Sequence, residues 1–276
     1  MRILITGAGG QLGRELQDLL SGEEIHAAGH ADLDVANRDA VFKAVERARP
    51  AWIINAAAFN DVDGAETAAE RAFAVNGLGP AHLADAAART GARLLHIGTD
   101  YVFDGTKGTP YTEEDHPNPQ SVYARSKYEG ELRVLNSNAR ACVLRTAWLY
   151  GRHGRNFVKA ILAAAGRGEP LKVVSDQTGS PTSTADLARA IAALLRTEAA
   201  GLFHAVNQGA CSRFEFAEAI VGGRAQVLPI TTREAGRPAN RPVNSSLVST
   251  RWEAAGLPAF RPWREALGEV LTLLAA

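Results

Sequence analysis

Short apolar runs alternate with amphipathic stretches through the first half of the chain. Arg2–Thr6 has the continuous apolar character of a buried parallel strand, and residues 14–20 carry leucines at helical spacing. The alternation continues, with strands predicted at 24–29, 52–55, 93–97 and 141–146 and helices at 38–49, 74–89 and 122–131. Strands that alternate with helices are typical of a parallel sheet with helices on both faces. The pattern predicts an α/β fold with a doubly wound sheet of the Rossmann type.

Elements are shorter, and turns and prolines more frequent, after residue 170. The pattern there predicts strands at 172–175, 201–207 and 226–230 and helices at 185–196, 213–221 and 264–274. We assign residues 1–170 mainly to the Rossmann domain and 171–276 mainly to a smaller α/β substrate-binding domain. Segments 184–207 are expected to return to the Rossmann domain.

A glycine-rich turn separates the first strand from the first helix. Its glycines are Gly7, Gly10 and Gly13, and the alternative G-x-G-x-x-G register fails because Leu12 occupies its last position. Glycines let the backbone approach a pyrophosphate, which binds at the positive end of the helix dipole. The turn, flanked by strand and helix in the required order, predicts a dinucleotide site.

The second predicted strand ends at Ala28-Gly29-His30, without an acid. NAD-specific sites usually have Asp or Glu there, bonded to the ribose 2′-hydroxyl. Without this carboxylate, a 2′-phosphate meets no repulsion at the end of the strand, and His30 can help to bind that phosphate. The sequence therefore allows NADPH or NADH and slightly favours NADPH. Asp34 can bond the adenine amino group, or it can belong to the N-terminus of helix 38–49.

Candidate hydride-transfer residues surround helix 122–131. Tyr123 and Lys127 are four residues apart and share one helix face. A nearby cation favours the phenolate, so Lys127 is expected to lower the pKa of Tyr123 from about 10. Thr99, after strand 93–97, can bond a carbonyl oxygen that accepts a hydride, and Asp100 lies beside it. A Tyr-x-x-x-Lys pair alone is weak evidence for hydride-transfer chemistry, but the glycine turn and Thr99 support that interpretation.

Composition excludes several other classes of function. Lys+Arg and Asp+Glu are both 30, so no basic excess points to nucleic acid or to an anionic membrane. The only cysteines, Cys142 and Cys211, are far apart and fit a reducing compartment better than a disulfide or zinc site. The sequence shows no leader pattern and no membrane-spanning apolar run, so we expect a cytoplasmic protein.

The motifs together resemble the dTDP-4-dehydrorhamnose reductase family, within the extended short-chain dehydrogenase/reductase superfamily. Each motif is weak to moderate alone, but the ordered set is specific and covers essentially the whole chain. The motifs are Gly10-Gln-Leu-Gly-Arg-Glu-Leu, Asn55-Ala-Ala-Ala-Phe, Gly98-Thr-Asp-Tyr-Val-Phe-Asp-Gly, Tyr123-x-x-x-Lys-Tyr-Glu-Gly-Glu, Arg145-Thr-Ala-Trp-Leu-Tyr-Gly, Asp176-Gln-Thr-Gly-Ser-Pro-Thr and Arg241-Pro-x-Asn-Ser.

This resemblance implies reduction of the C4 ketone of dTDP-4-dehydro-L-rhamnose to dTDP-L-rhamnose, in surface-polysaccharide biosynthesis. Tyr123 would protonate the new C4 oxygen, Lys127 would bond the nicotinamide ribose, and Thr99 would orient the carbonyl. The implied substrate contacts are Thr99, Asp100, Tyr123, Trp148 and Arg241. The implied cofactor contacts are Gly10, Gln11, Leu12 and Gly13 at the pyrophosphate, Asp34 and Val35 at adenine, and Ala57, Ala58 and Phe59 along the cofactor.

The chain departs from the family in two places: Gly98 replaces a common Ser, and Phe59-Asn60 replaces Tyr-Thr. Some relatives use magnesium at a subunit interface, but only Glu15 resembles one of its ligands here, so no metal is predicted. The protein is expected to be a monomer or a homodimer. Two alternatives stay open: a nucleotide-sugar epimerase or dehydratase with tightly held NAD⁺, and a non-enzymatic regulatory subunit like that of a methionine adenosyltransferase.

Overall fold

The computed structural model describes residues 1–168 and 170–275. Its strands are β1 (Arg2–Thr6), β2 (Glu24–Ala28), β3 (Trp52–Asn55), β4 (Arg93–Thr99), β5 (Arg140–Thr146), β6 (Leu149–Tyr150), β7 (Leu171–Val174), β8 (Thr178–Gly179), β9 (Thr182–Ser183), β10 (Gly201–His204), β11 (Cys211–Ser212) and β12 (Val227–Ile230). Its α-helices are α1 (Gln11–Leu19), α2 (Arg38–Ala48), α3 (Val62–Ala65), α4 (Ala69–Phe73), α5 (Gly79–Thr90), α6 (Val122–Leu135), α7 (Phe157–Ala165), α8 (Thr184–Leu194), α9 (Arg213–Val221), α10 (Thr232–Ala235) and α11 (Trp263–Ala275).

Six parallel strands form the central sheet, in the spatial order β2–β1–β3–β4–β5–β10. Successive residues of β1 face opposite sides, so Ile3 and Ile5 pack with α1 and α8, whereas Leu4 packs against α2 and α5. The predicted α/β class with a Rossmann-type sheet is confirmed. Strand order reverses at β1, which lies between β2 and β3. Ligands of such sheets bind at the carboxyl ends of the strands beside this reversal.

The chain crosses back to the central sheet after β9. Strand β10 pairs with β5, from Gly201 opposite Cys142 to His204 opposite Arg145. Helix α8 contributes Leu187 to the same apolar cluster as α1. The helices α7, α9 and α11 and the parallel pair β7–β12 enclose a separate cluster. That cluster begins with Tyr150, before residue 170, and the domain boundary drawn from the sequence stays a prediction.

The helix predicted at 74–89 differs from the observed one. The helical path begins with α4, passes through a π-helical turn at Ala74–Leu78, and continues as α5. The Asn76 carbonyl lies so close to α6 that a Cβ at Gly130 would overlap it. The wide turn thus accommodates a close helix–helix contact and directs the Asn76 side chain towards the end of β3.

No helix within residues 1–168 and 170–275 combines the length and the apolar character needed to cross a bilayer.

Candidate functional site

A cleft opens above the carboxyl ends of the central strands. It consists of a cavity of about 340 Å³ that reaches Tyr123 and a second cavity of about 260 Å³ that reaches His30. The two cavities share the lining residues Gly10, Ala56, Ala57, Ala58 and Asn60. They therefore form one elongated cleft, which crosses the point where strand order reverses.

The glycine turn forms the floor of the cleft. Gly7 has a φ of +67°, and a Cβ there would lie 2.6 Å from the Ala56 carbonyl carbon. A Cβ at Gly13 would overlap the Gly7 carbonyl oxygen, so α1 packs directly on the turn. No side chain caps α1, its first turn has no acid, and Gly10 to Gly13 line the cleft. Free amides at a helix N-terminus suit the pyrophosphate of a dinucleotide.

The smaller of the two cavities contains the residues expected near adenosine. His30, Asp34 and Val35 all line it. The Asp34 carboxylate also accepts a hydrogen bond from Ala36 N at 3.0 Å, so it stabilises the local turn. An acid missed in the sequence, Asp32, accepts a hydrogen bond from Gly29 N at 2.9 Å, just after β2.

Helix α6 brings Tyr123 and Lys127 into the cleft, where Thr99 joins them from the end of β4. Ser121 caps this helix by accepting a hydrogen bond from Ala124 N. Lys127 is buried and donates a 2.6 Å hydrogen bond from Nζ to the Ile97 carbonyl. The three residues predicted from separate motifs thus lie in one cavity.

The protonation of Tyr123 differs from the expectation. Burial raises the pKa of Tyr123, and the nearby Asp100 carboxylate acts in the same direction. Burial lowers the pKa of Lys127 to about 8, against the opposing effect of Glu131. The net direction is therefore opposite to the lowering expected from Lys127, because burial dominates and the Lys127 ammonium group bonds a backbone carbonyl. Tyr123 stays a neutral phenol at neutral pH, which is the form that donates a proton.

Asp100 and Trp148 form the wall next to Thr99. Thr99 Oγ1 donates to Asp100 Oδ1 at 3.2 Å, while burial raises the pKa of Asp100 to about 6. The Asp100 Oδ2 and Trp148 Nε1 atoms are buried and have no hydrogen-bond partner within the described part of the chain. Trp148 also has a φ of +46°, which is uncommon for a residue with a side chain. A strained residue with unsatisfied polar atoms beside a cavity is typical of a binding site.

Two residues assigned through the family resemblance do not line the cleft. Phe59 packs in an apolar cluster with Ala65 and Val122. Its backbone is held on both sides by Asn76, which accepts from Phe59 N at 2.8 Å and donates to Phe59 O at 3.1 Å. Arg241 instead forms a two-point ion pair with Asp63, with both N···O distances at 2.9 Å.

Arg213, which the sequence did not identify, does line the cleft. It is the first residue of α9, and its guanidinium carbon lies 3.5 Å over the Trp148 ring. No local motif marks this position, because the contact joins elements that are distant in the chain.

No group of three or more His, Cys, Asp or Glu side chains suited to a metal ion occurs in residues 1–168 and 170–275. Glu15, the residue that resembles a magnesium ligand, lies 3.3 Å from the guanidinium of Arg152. A cation already balances its charge.

The family model described as "RmlD substrate binding domain" matches residues 1–276. A dTDP-4-dehydrorhamnose reductase from Mycobacterium tuberculosis (strain CDC 1551 / Oshkosh) is 45% identical over 283 residues, covering 98% of this chain and 92% of the relative. The chain belongs to the dTDP-4-dehydrorhamnose reductase family. The resemblance inferred from the ordered motifs is thereby confirmed.

Solved structures agree with this membership. A dTDP-4-dehydrorhamnose reductase from Clostridium acetobutylicum superposes with a TM-score of 0.97 at 43% identity, covering 100% of both chains. A dTDP-4-dehydrorhamnose reductase from Bacillus anthracis str. Ames, in complex with NADP, gives a TM-score of 0.95 at 38% identity and covers 98% of both chains. These members of the family share the whole fold described above, including its C-terminal part.

Proposed function

We propose that this protein reduces the C4 ketone of dTDP-4-dehydro-L-rhamnose to dTDP-L-rhamnose, with NADPH or NADH as hydride donor. The observation that carries the proposal is a single cleft in which Tyr123, Lys127 and Thr99 lie next to an uncapped glycine turn. Family membership supports the substrate, since relatives across the full length are named for this reaction. The Bacillus anthracis relative in complex with NADP supports the cofactor.

The geometry suits proton donation to a carbonyl oxygen. Bound reduced nicotinamide supplies the hydride, and the glycine turn with α1 would hold its pyrophosphate. The neutral phenol of Tyr123 would donate its proton to the C4 oxygen, and the Thr99 hydroxyl would orient that oxygen. Lys127, whose Nζ donates a hydrogen bond to the Ile97 carbonyl oxygen in this structure, would bond the nicotinamide ribose. Asp100 and Trp148 would contact the sugar.

A coupled assay tests the proposal. The ketosugar is generated in situ, and loss of the reduced-nicotinamide absorbance is followed with NADPH and with NADH. Consumption of either cofactor, with dTDP-L-rhamnose as product, is the expected result. Folded protein that binds cofactor but consumes none with this ketosugar would contradict the proposal. NAD⁺ retained through purification would then indicate an epimerase or dehydratase.

The assay also addresses cofactor choice. With no acid at the end of β2 and His30 in the lining, we expect NADPH to give the higher kcat/KM. A large preference for NADH would assign the ribose contact to Asp32.

Cys142 and Cys211 are buried free thiols, which fits the cytoplasmic location proposed here. The molar mass of the purified protein, measured by light scattering, distinguishes a monomer from a homodimer.

A further inference from the structure

Arg213 has an unusual environment for a cation in a cleft. Its guanidinium lies over the Trp148 ring at 3.5 Å and 5.3 Å from the centre of the Phe157 ring. Stacking occupies the face of the guanidinium. Its N–H edge, which has the Tyr101 side chain as a hydrogen-bonding neighbour, carries the charge that can bind an anion in the cleft.

The Trp148 ring beneath Arg213 is closely packed. A Cβ at Gly179 would overlap the Trp148 ring, so β8 presses against one side of the indole while Arg213 covers it from another. Within residues 1–168 and 170–275, the contacts that position Arg213 are therefore aromatic packing and the Tyr101 side chain, with no ion pair among them. Such packing places the guanidinium in the cleft before a ligand binds.

The charge of Arg213 is not neutralised at short range. In residues 1–168 and 170–275, no carboxylate lies within ion-pairing distance of its guanidinium, although Asp100 attracts it from farther away. Burial lowers the Arg213 pKa, because removal from water disfavours the charged guanidinium. An anion bound at its N–H edge would offset that desolvation.

The second arginine near this corner is in the opposite situation. Arg241 is fully engaged by Asp63 through two 2.9 Å hydrogen bonds. The Asp63 carboxylate also accepts from Ala239 N at 3.1 Å, so the pair fixes the loop around residue 240 to α3. A carboxylate thus occupies the N–H edge of Arg241, whereas none among the described residues occupies that of Arg213.

We propose that Arg213 binds the diphosphate of the nucleotide-sugar substrate, and that Arg241 positions the surrounding loop. The inference rests on the proposed function for the identity of the nucleotide. It assigns the phosphate-binding role to a residue of α9 and takes that role from the residue that the family resemblance suggested.

Calorimetry tests this assignment. It measures the binding of dTDP and of dTMP to the wild type, to Arg213→Met and to Arg241→Met. Methionine keeps an unbranched apolar stem that can lie on Trp148 but removes the cation. We expect Arg213→Met to weaken dTDP at least about tenfold, because it loses charge-assisted hydrogen bonds. The ratio of dTMP to dTDP dissociation constants should fall towards one. Exposed Arg233 provides the control, Arg233→Met, which should bind dTDP like wild type.

Arg213→Lys keeps the charge and loses the planar fork, so an intermediate loss of dTDP affinity is expected. This variant also decides the matter if Arg213→Met does not fold. Wild-type dTDP binding in both Arg213 variants, with a large loss in Arg241→Met, would overturn the proposal. Failure of the wild type to bind dTDP would also overturn it. Wild type that binds dTDP through Arg213 but reduces no ketosugar would contradict only the proposed function.

Discussion

Glu131 and Arg145 form a buried two-point ion pair one helical turn beyond Lys127. Arg145 Nε and Nη2 donate to the two Glu131 carboxylate oxygens at 2.9 and 2.5 Å, and the side chains are 2% and 1% exposed, respectively. The pair links α6 to β5, and Arg145 Nη1 also lies 3.4 Å from His204 Nε2 on β10. Helix α6 and strands β5 and β10 therefore meet at one charged contact.

Removing one partner of this pair should strongly destabilise the fold. Glu131→Gln leaves the Arg145 guanidinium buried without a counter-charge, so we expect a loss of about 3–5 kcal/mol in the free energy of unfolding. Urea denaturation measures it. The control is Glu129→Gln on the same helix, which removes a partly exposed i,i+4 pair with Arg133 and should cost about 0.5 kcal/mol or less. Equal losses in both variants would contradict the argument. The double variant Glu131→Gln/Arg145→Met should recover most of the stability.

Replacing Tyr123 with Phe should abolish most turnover without loss of cofactor binding. The substitution removes only the proton donor, so kcat should fall by about 10²–10⁴ while the NADPH dissociation constant changes little. Tyr128→Phe is the matched control, because Tyr128 lies on the same helix but packs in the cluster around Phe103. Steady-state kinetics and fluorescence titration with NADPH give the two quantities. Wild-type kcat in Tyr123→Phe would exclude this phenol as the acid.

The pH dependence of kcat/KM should show two limbs. The pKa of Lys127 is lowered to about 8, so its ammonium loses its proton, and activity should fall, above that pH. The pKa of Asp100 is raised to about 6, so its carboxylate is protonated, and sugar binding should weaken, below that pH. Because kcat/KM reports ionisations of the free enzyme, the profile should have its maximum between these values.

Asp100→Asn isolates the acidic limb. This variant should lose the fall in kcat/KM near pH 6 and retain the alkaline limb. Burial raises the Asp100 pKa, so its contribution to stability is present at low pH and is lost as pH rises through 6. An unchanged acidic limb in Asp100→Asn would assign it to another group.

A single methyl group at Gly179 should affect substrate binding. Its Cβ would overlap the Trp148 ring, so Gly179→Ala should displace the indole from its contact with Arg213. We expect the KM for the ketosugar to rise at least about tenfold, with a small change in NADPH affinity. Gly108→Ala is the control, since a Cβ there would have no atom within 4 Å among the described residues, its chain neighbours aside. A parallel loss of NADPH affinity in Gly179→Ala would point to general disorder of the cleft.

The sequence predicted the parts of the molecule that depend on local pattern. Continuous apolar strands and the glycine turn indicated the sheet, because burial on both faces leaves a clear signal. Thr99, Tyr123 and Lys127 were identified from motif spacing, and the fold brings them to one cavity. The π-helical turn was missed because it depends on the close approach of Gly130 to Asn76, which no local pattern reveals.

The properties that depend on tertiary contacts were not predictable in the same way. The direction of the Tyr123 pKa shift follows from burial, which residue spacing cannot measure. A sequence motif marks Arg241 and none marks Arg213, yet Arg213 is the one that lines the cleft. The difference lies in their neighbours, which are an indole ring for Arg213 and a carboxylate for Arg241.

The return of the chain to the central sheet also has a consequence for biosynthesis. Strand β5 gains its outer neighbour only when residues 201–204 are available, long after β1 to β5 have been translated. Until then, β5 is an edge strand with unpaired backbone groups, and Arg145 belongs to that exposed strand. We expect a ribosome-bound chain that stops before β10 to be protease-sensitive and to recruit chaperones, although it already contains the complete glycine turn and helix α6.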